Sequence, residues 1–352
     1  MRKCVTFLVP SLKAGGLERV ASLLANRGTD NYQITLISLD SEPPFYSLHK
    51  EVKLLQSPEK ITRQNKKIRF FTNGGWLRKT VKEINPDVIC SFGEKYNPYV
   101  MFFLAGIKTP IYLANRTSPL SSLKGRYGLL NPFAYKFAAG VLLQTKQSIE
   151  LLKDKYDFKR TEVIGNPIDL DYPKLERENI ILNVGSIGGN KNQDWLIRYF
   201  SELKNKGWKL HFAGDGPLKQ KCSALAEQLN IASQVVFHGV VKDIKSNYSR
   251  ASIFAFTSTV EGFPNALGEA MAAGCACIAY DCIAGPSDII DDGVNGFLIP
   301  VGDHELFQDK LKHLMQDQAL REKFGKNARE KMKLFEADQI AEKFYQFITA
   351  DL

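Results

Sequence analysis

The sequence predicts an α/β protein of two doubly wound domains, each a parallel sheet flanked by helices. Three observations carry that expectation. The chain has 352 residues, more than one ordinary core accommodates. Short apolar runs alternate with amphipathic segments, the pattern of parallel strands joined by crossover helices. Gly165-Asn166-Pro167-Ile168-Asp169 interrupts that pattern near the middle, with a glycine and a proline where a linker is expected.

In order along the first half, strands are predicted at 5–9, 34–39, 88–92, 111–114 and 141–144, with helical spacing between them at 17–25 and 149–156. In the second half the strands fall at 180–184, 210–213, 235–237, 253–256, 277–280 and 297–299. From Asp303 the pattern is helical only, with Leu306, Leu311, Leu314 and Met315 on one stripe, and an amphipathic stretch at 339–349 ends the chain. The expected domains are 1–165 and 166–335, followed by a closing segment, 336–352. Two such domains put a ligand in a cleft at the carboxyl ends of their strands.

Composition limits the function. Hydrophobic residues are 44% and charged residues 24%, ordinary for a globular protein. No apolar run approaches the ~18 residues that a membrane span needs. The N-terminus MRKCVTFLVPSL lacks a small-residue cleavage site and reads as a first strand rather than a signal peptide. The six cysteines have no metal or redox spacing, as expected of reduced thiols in a cytoplasmic protein. Net charge is +9, unevenly divided. Residues 1–165 hold 26 Lys+Arg against 13 Asp+Glu, giving +13, and the rest hold 21 against 25, giving −4. Such asymmetry points to an anionic surface or ligand at the first half.

Five stretches carry the chemistry. Gly15 and Gly16 follow the first strand and open a helix, where backbone amides favour an anion; the stretch is neither a full GxGxxG nor a phosphate-binding GxxxxGK[ST]. Gly185-Ser186-Ile187-Gly188-Gly189-Asn190-Lys191 is a glycine-rich loop with a lysine able to meet a phosphate. At Gly214-Asp215-Gly216-Pro217, Gly214 permits close approach of a ring or phosphate, Asp215 serves as an N-cap or a ligand contact, and Pro217 takes the first helical turn. In Glu261-Gly262-Phe263-Pro264-Asn265-Ala266-Leu267-Gly268-Glu269 a helix starts near Asn265 or Ala266, with Glu269 in its first turn. Dipole complementarity is the plain reading of Glu269, but a capping box needs three residues where Asn265 to Glu269 is four, and Glu261 stays unexplained. A carboxylate accepts two hydrogen bonds side by side, which matches vicinal sugar hydroxyls, and free helix-start amides suit a diphosphate. The stretch thus reads as a nucleotide-sugar clamp.

The fifth stretch, 59–84, holds eight Lys+Arg against two Glu, interleaved with Phe70, Phe71 and Trp76. Lys60, Arg63, Lys66, Lys67, Arg69, Arg78 and Lys79 are candidates for an anionic membrane surface or acceptor phosphates. No nucleic-acid motif accompanies them, and no nucleic-acid partner is expected.

Together these residues resemble glycosyltransferase family 4, retaining enzymes of the GT-B fold. Glu261 to Glu269 matches the family's E-x7-E motif. Gly15-Gly16-Leu17-Glu18-Arg19, Asn166-Pro167-Ile168-Asp169, Lys191-Asn192, Gly214-Asp215-Gly216, His238-Gly239 with Asp243, Gly285-Pro286 with Ile289-Ile290, and Asp292-Gly293-Val294-Asn295-Gly296 follow in the family's order. The resemblance covers nearly the whole chain and is closest to bacterial enzymes of surface polysaccharides and lipid-linked oligosaccharides. It implies two Rossmann-like domains facing across a cleft, the first for acceptor and the second for donor, with a last helix crossing back to the first. It implies that Glu261 contacts donor-sugar hydroxyls, that the amides of Gly262, Phe263, Pro264-Asn265, Ala266 and Leu267 meet the sugar and diphosphate, and that Glu269 holds the ribose. Lys191 would stabilise the leaving diphosphate, the backbone near Val240 and Val241 would meet the base, and Gly15 and Gly16 would lie under the diphosphate. The basic segment would face the membrane.

Two departures matter. Many relatives carry arginine where this chain has Ser186, so Lys191, Arg19 or another cation takes more of the leaving-group charge. Many also carry a first-domain histidine near the reacting carbon; the corresponding stretch here is Ala114-Asn115-Arg116-Thr117. Arg116 takes that place and does not accept protons at neutral pH.

The resemblance implies a metal-independent front-face substitution without a cofactor, in which the leaving phosphate helps take the acceptor proton. Asp169-Leu170-Asp171 spells DxD but follows the linker rather than a strand end, so no metal is expected there. The reading is of a cytoplasmic enzyme, peripheral on the inner face of the cell membrane. It moves a hexose or N-acetylhexosamine from a nucleotide diphosphate, UDP before GDP, to a polyprenyl-diphosphate-linked glycan. The rivals are a nucleotide-sugar epimerase of the same architecture, a retaining glycosidase with carboxylates ~5 Å apart, and a non-catalytic scaffold.

Overall fold

The computed structural model describes residues 2–203 and 207–352, without the side chains of Ser121, Ser122 and Arg126. The chain divides into two units: residues 1–167 with 337–352, and 168–336.

Unit 1 contains strands β1 (Cys4–Val9), β2 (Gln33–Ser38), β3 (Lys53–Gln56), β4 (Val88–Phe92), β5 (Ile111–Ala114), β6 (Gly140–Leu143) and β7 (Thr161–Val163). Its helices are α1 (Gly16–Gly28), α2 (Glu59–Thr62), α3 (Lys66–Ile84), α4 (Asn97–Phe103), α5 (Pro119–Ser122), α6 (Gly125–Phe137) and α7 (Lys146–Leu152). The sheet order is β3-β2-β1-β4-β5-β6-β7, parallel throughout. β4, VICSF, is buried at every position, as expected of a parallel strand covered on both faces.

Unit 2 contains β8 (Glu178–Val184), β9 (Lys209–Ala213), β10 (Val235–Gly239), β11 (Ala251–Phe256), β12 (Ala276–Asp281) and β13 (Phe297–Pro300). Its helices are α8 (Gln193–Glu202), α9 (Lys219–Gln228), α10 (Lys245–Arg250), α11 (Asn265–Ala272), α12 (Pro286–Ile289), α13 (His304–Gln316) and α14 (Gln318–Met332). The sheet order is β10-β9-β8-β11-β12-β13, again parallel. α13 and α14 are separated by caps rather than by a proline. The carboxylate of Asp303 accepts from the Leu306 amide at 3.0 Å, and that of Asp317 from Leu320 at 2.9 Å.

The last helix, α15 (Ala337–Thr349), returns to unit 1. Phe344 is fully buried and meets Phe7 edge-on at 5.6 Å, while Tyr345 donates to the Leu24 carbonyl at 2.8 Å. These side chains join the core between α1 and the sheet, each contributing about 1.5–3 kcal/mol through burial.

All eleven predicted strands are present, with ends shifted by at most two residues. β3 and β7 escaped prediction. They are edge strands, half-exposed and carrying Lys53, Gln56 and Glu162, so they lack a continuous apolar run. The helix expected at 149–156 runs instead over Lys146–Leu152, because Thr145 caps it by accepting from the Ser148 amide at 3.1 Å. Pro217 lies in a turn before α9, whose cap position is Leu218. The expectations that Pro217 takes the first helical turn and that Asp215 is an N-cap are therefore both corrected.

In each sheet, strand order reverses once: between β1 and β4, and between β8 and β11. At such a switch point the loops leaving the two strands diverge to opposite faces and leave a crevice at the carboxyl ends. In unit 2 those loops are 185–192 and 257–264, which carry Lys191 and Glu261.

Candidate active site

Three strand ends of unit 2 are locked together by glycines. Gly214 has φ +146°, and a Cβ there would stand 1.9 Å from the Gly185 carbonyl oxygen. A Cβ on Gly216 would stand 2.3 Å from the Ile187 carbonyl oxygen. The Gly214 amide donates to Gly239 at 2.7 Å, the Gly185 amide to Ala213 at 3.0 Å and the Ile187 amide to Asp215 at 3.0 Å. The bareness of Gly214 is therefore demanded by the protein's own backbone, not by a ring or phosphate.

Lys191 ends a 3₁₀ turn, Gly189–Lys191, and its loop is tied to the one after β11. The Thr259 amide donates to the Asn190 carbonyl at 2.9 Å, the Thr257 hydroxyl to the Lys191 carbonyl at 2.6 Å, and the Asn192 side-chain amide to the Thr257 carbonyl at 3.0 Å. Asn192 sits in the left-handed region, φ 49°, which asparagine tolerates better than most residues. The result brings Lys191 and Glu261 together, Nζ donating to Oε1 at 2.5 Å, with both side chains largely out of solvent. Lys191 also stands 5.7 Å from the centre of the Phe256 ring. Beneath them, burial pushes the Cys282 thiol up to about 12, with the Glu261 charge adding to the effect.

α11 begins at Asn265 as expected, and no side chain caps its N-terminus. Gly262, Phe263 and Pro264 form the buried turn before it, and Ala266 and Leu267 lie in the first turn, whose amides have no intrahelical acceptor. A Cβ on Gly285, φ +142°, would stand 2.4 Å from Pro264 Cδ, so the loop after β12 packs directly on this turn. Glu269 is the fifth residue of α11 and begins the second turn, not the first. It is 5% exposed and accepts a hydrogen bond from the Tyr248 hydroxyl at 3.0 Å. Neither capping nor the helix dipole accounts for a carboxylate so placed. Tyr248 carried no sequence signal beyond its place in an apolar stripe.

The other unit 2 residues lie nearby in sequence order. Ser186 is exposed, and its carbonyl accepts from Gln193 at 3.0 Å. Val240 follows β10 and is exposed, while Val241 is partly buried against the core. The Asp169 carboxylate is paired with Lys245 at 2.7 Å and accepts from the Asp171 amide. Among the described residues no group of three or more His, Cys, Asp or Glu is placed to hold a metal.

In unit 1, α1 starts at Gly16 after Gly15. The Glu18 side chain folds back over this start: a Cβ on Gly15 would stand 2.2 Å from Glu18 Oε2, and Ser11 donates to Glu18 Oε1 at 2.9 Å. Arg116 follows β5 and is buried, 7% exposed. Its Nη1 donates to Asn166 at 2.7 Å, an oxygen shared with Gln144 at 2.8 Å, and its backbone amide donates to the buried Glu94 at 3.2 Å. Its Nε and Nη2 have no hydrogen-bond partner. Burial lowers its pKa to about 10, which leaves it charged at neutral pH. Glu94 and Asn166 were not singled out chemically in the sequence, because only the fold brings them to Arg116.

Lys60, Arg63, Lys66, Lys67, Arg69 and Lys79 are exposed on α2, α3 and the turn between them. Arg63 pairs with Glu59, Lys79 with Glu83 at 3.8 Å, and Arg69 donates to the Thr62 carbonyl. Arg78 is half-buried and donates to the carbonyls of Phe103 and Ala105 at the end of α4. Among the described residues no helix is long and apolar enough to cross a membrane.

Two parallel-sheet units, each with its candidate residues at the carboxyl ends of its strands, define a glycosyltransferase of the GT-B fold. Residues 168–331 match the family model "Glycosyl transferases group 1", and residues 14–172 match "Glycosyltransferase Family 4". The chain belongs to glycosyltransferase family 4. It is 28% identical over 361 residues to a Campylobacter jejuni α-1,4-N-acetyl-D-galactosaminyltransferase named for a diphospho-undecaprenol-linked glycan, covering 98% of each chain. It is 39% identical over 245 residues to an Escherichia coli lipopolysaccharide 1,6-galactosyltransferase, covering 64% of this chain and 65% of that one. Its fold superposes on Staphylococcus aureus TarM with a TM-score of 0.85 at 15% identity, covering 99% of this chain and 100% of that one.

Proposed function

We propose that the protein transfers a hexose or N-acetylhexosamine, with retention and without a metal, from a nucleotide diphosphate to a glycan on a polyprenyl diphosphate. UDP is the first donor to test, before GDP. The observation that carries the reading is the Lys191–Glu261 pair at the switch point of unit 2. A cation and a carboxylate are fixed there beside an uncapped helix start.

In the proposed reaction the C1–oxygen bond to the diphosphate breaks and a bond from the acceptor oxygen to C1 forms on the same face. The acceptor's proton passes to the departing phosphate oxygen. Negative charge develops on the diphosphate, and Lys191 together with the amides of Ala266 and Leu267 stabilises it. Glu261 turns from Lys191 to the sugar hydroxyls when the donor binds. Glu269, fixed by Tyr248, is assigned to the ribose, and the backbone near Val240 to the base. Ser186 leaves the leaving group without the relatives' arginine, which concentrates the work on Lys191. Gly15 and Gly16 are assigned to the diphosphate from unit 1, and Arg116 supplies a buried positive charge but no proton acceptor.

The diphospho-undecaprenol acceptor in the name of the Campylobacter jejuni relative supports a lipid-linked acceptor. Such an acceptor implies a site of action at the cytoplasmic face of the membrane. The relatives reported above are transferases, which favours transfer over epimerisation. The test is a panel of UDP- and GDP-sugars, with and without undecaprenyl-diphosphate-linked glycan, analysed by NMR for product anomer. Retained configuration and acceptor-dependent turnover are expected. Inverted product, or donor conversion without acceptor, would overturn the reading.

A further inference from the structure

Helix α6 is apolar on two sides. Its inner side sets Ala134, Tyr135 and Ala138 into the core of unit 1. Its outer side presents Leu129, Phe133 and Phe137, which are 73%, 68% and 67% exposed. Spaced by four, they share one stripe, where a helix on a water-facing surface carries polar residues.

The stripe continues onto neighbouring helices. α4 packs against α6 on one side and α3 on the other. Phe102 on α4 and Phe71 on α3 are each 64% exposed. Both lean on Phe103, with ring centroids at 5.0 and 6.4 Å. Exposed apolar surface of this extent marks an interaction face.

Charge selects the partner. Between Glu94 and Glu150 the sequence has seven Lys+Arg and no Asp or Glu. Lys124 and Lys136 are exposed at the two ends of α6, and Lys66 and Lys67 open α3. A second copy of this face would bring like charges together, which opposes pairing. An anionic bilayer offers both an apolar interior for the rings and phosphates for the lysines.

We infer that the α3–α4–α6 face of unit 1 docks on an anionic lipid bilayer, with Phe133 and Phe137 entering the headgroup–acyl boundary. This moves the anchor away from the basic segment 59–84 alone: α3 supplies charge, and α6 supplies the inserted rings. It deepens the membrane element of the proposed function but needs no donor chemistry.

The test is co-sedimentation of the full chain with phosphatidylcholine–phosphatidylglycerol vesicles and with phosphatidylcholine vesicles. The wild type should bind the anionic vesicles, and the double variant Phe133→Asp/Phe137→Asp should bind at least about tenfold more weakly. Both positions are exposed, so an unchanged unfolding midpoint separates lost docking from lost folding. In a Phe133→Trp variant, emission should shift to the blue on anionic vesicles and be quenched by bromine-labelled acyl chains. Wild-type binding by the double variant, or an unquenched Phe133→Trp signal, would overturn the inference. So would a dimer that the double substitution dissolves while vesicle binding persists. Failed sugar transfer with intact vesicle binding would instead remove the function reading and leave this one standing.

Discussion

In the donor-free chain the Lys191 ammonium is engaged by the Glu261 carboxylate, so an incoming diphosphate competes with a residue of the site itself. Glu261→Gln releases that competition. UDP should bind about three- to tenfold more tightly to the variant, as expected for a part-buried pair, while sugar transfer falls because the hydroxyls lose their acceptor. Calorimetry of UDP binding beside a turnover assay checks both halves. Gly214→Ala meets two obstacles, the φ of +146° and the Gly185 carbonyl at 1.9 Å. It should lower the unfolding midpoint and weaken UDP binding together. His211 offers a pH test. Burial, then the neighbouring His238 with a ring-nitrogen separation of 3.1 Å, lowers its pKa from 6.5 to about 4. Protons then bind the unfolded chain more readily than the folded one in that window, so stability is lost as pH falls from 6.5 towards 4. His211→Gln should flatten that part of the curve in thermal melts followed across pH.

At the scale of elements, the last helix is the clearest dependency. α15 fills the core of unit 1 with Phe344, Tyr345, Phe347 and Ile348, so Phe344→Ala should cost about 3–5 kcal/mol, read by denaturant unfolding. The central strands were legible because parallel strands covered on both faces are continuous apolar runs, as in Val88–Phe92. β3 and β7 were not, because an edge strand with half its surface in water has no such run. The start of α11 was legible from Pro264 and Asn265, but the burial of Glu269 was not. Its partner Tyr248 lies on α10, and only the fold brings the two together. Arg116 follows the same rule: its place after β5 was legible, while its contacts with Asn166 and Glu94 depend on three separate loops meeting.

At the scale of the whole molecule, the uneven charge has a structural counterpart. The positive excess lies in the unit that carries α3, α4 and α6, and the nucleotide-handling loops lie in the mildly acidic one. The order of motifs was sufficient to indicate the family. The apolar stripe on α6 was not legible, because in sequence Leu129, Phe133 and Phe137 look like core and only their exposure shows otherwise. UDP should still stabilise a Phe344→Ala chain, by about 2.7 kcal/mol at one hundred times its dissociation constant, because its proposed contacts in unit 2 are untouched by the substitution. The most direct test of the central claim is the rate of nucleoside-diphosphate release from a UDP-sugar in the presence of lipid-linked acceptor, compared between wild type and Lys191→Ala. If Lys191 carries the leaving-group charge, the variant should be slower by about 10²–10³-fold with its fold intact. Release at the wild-type rate by Lys191→Ala would contradict the account.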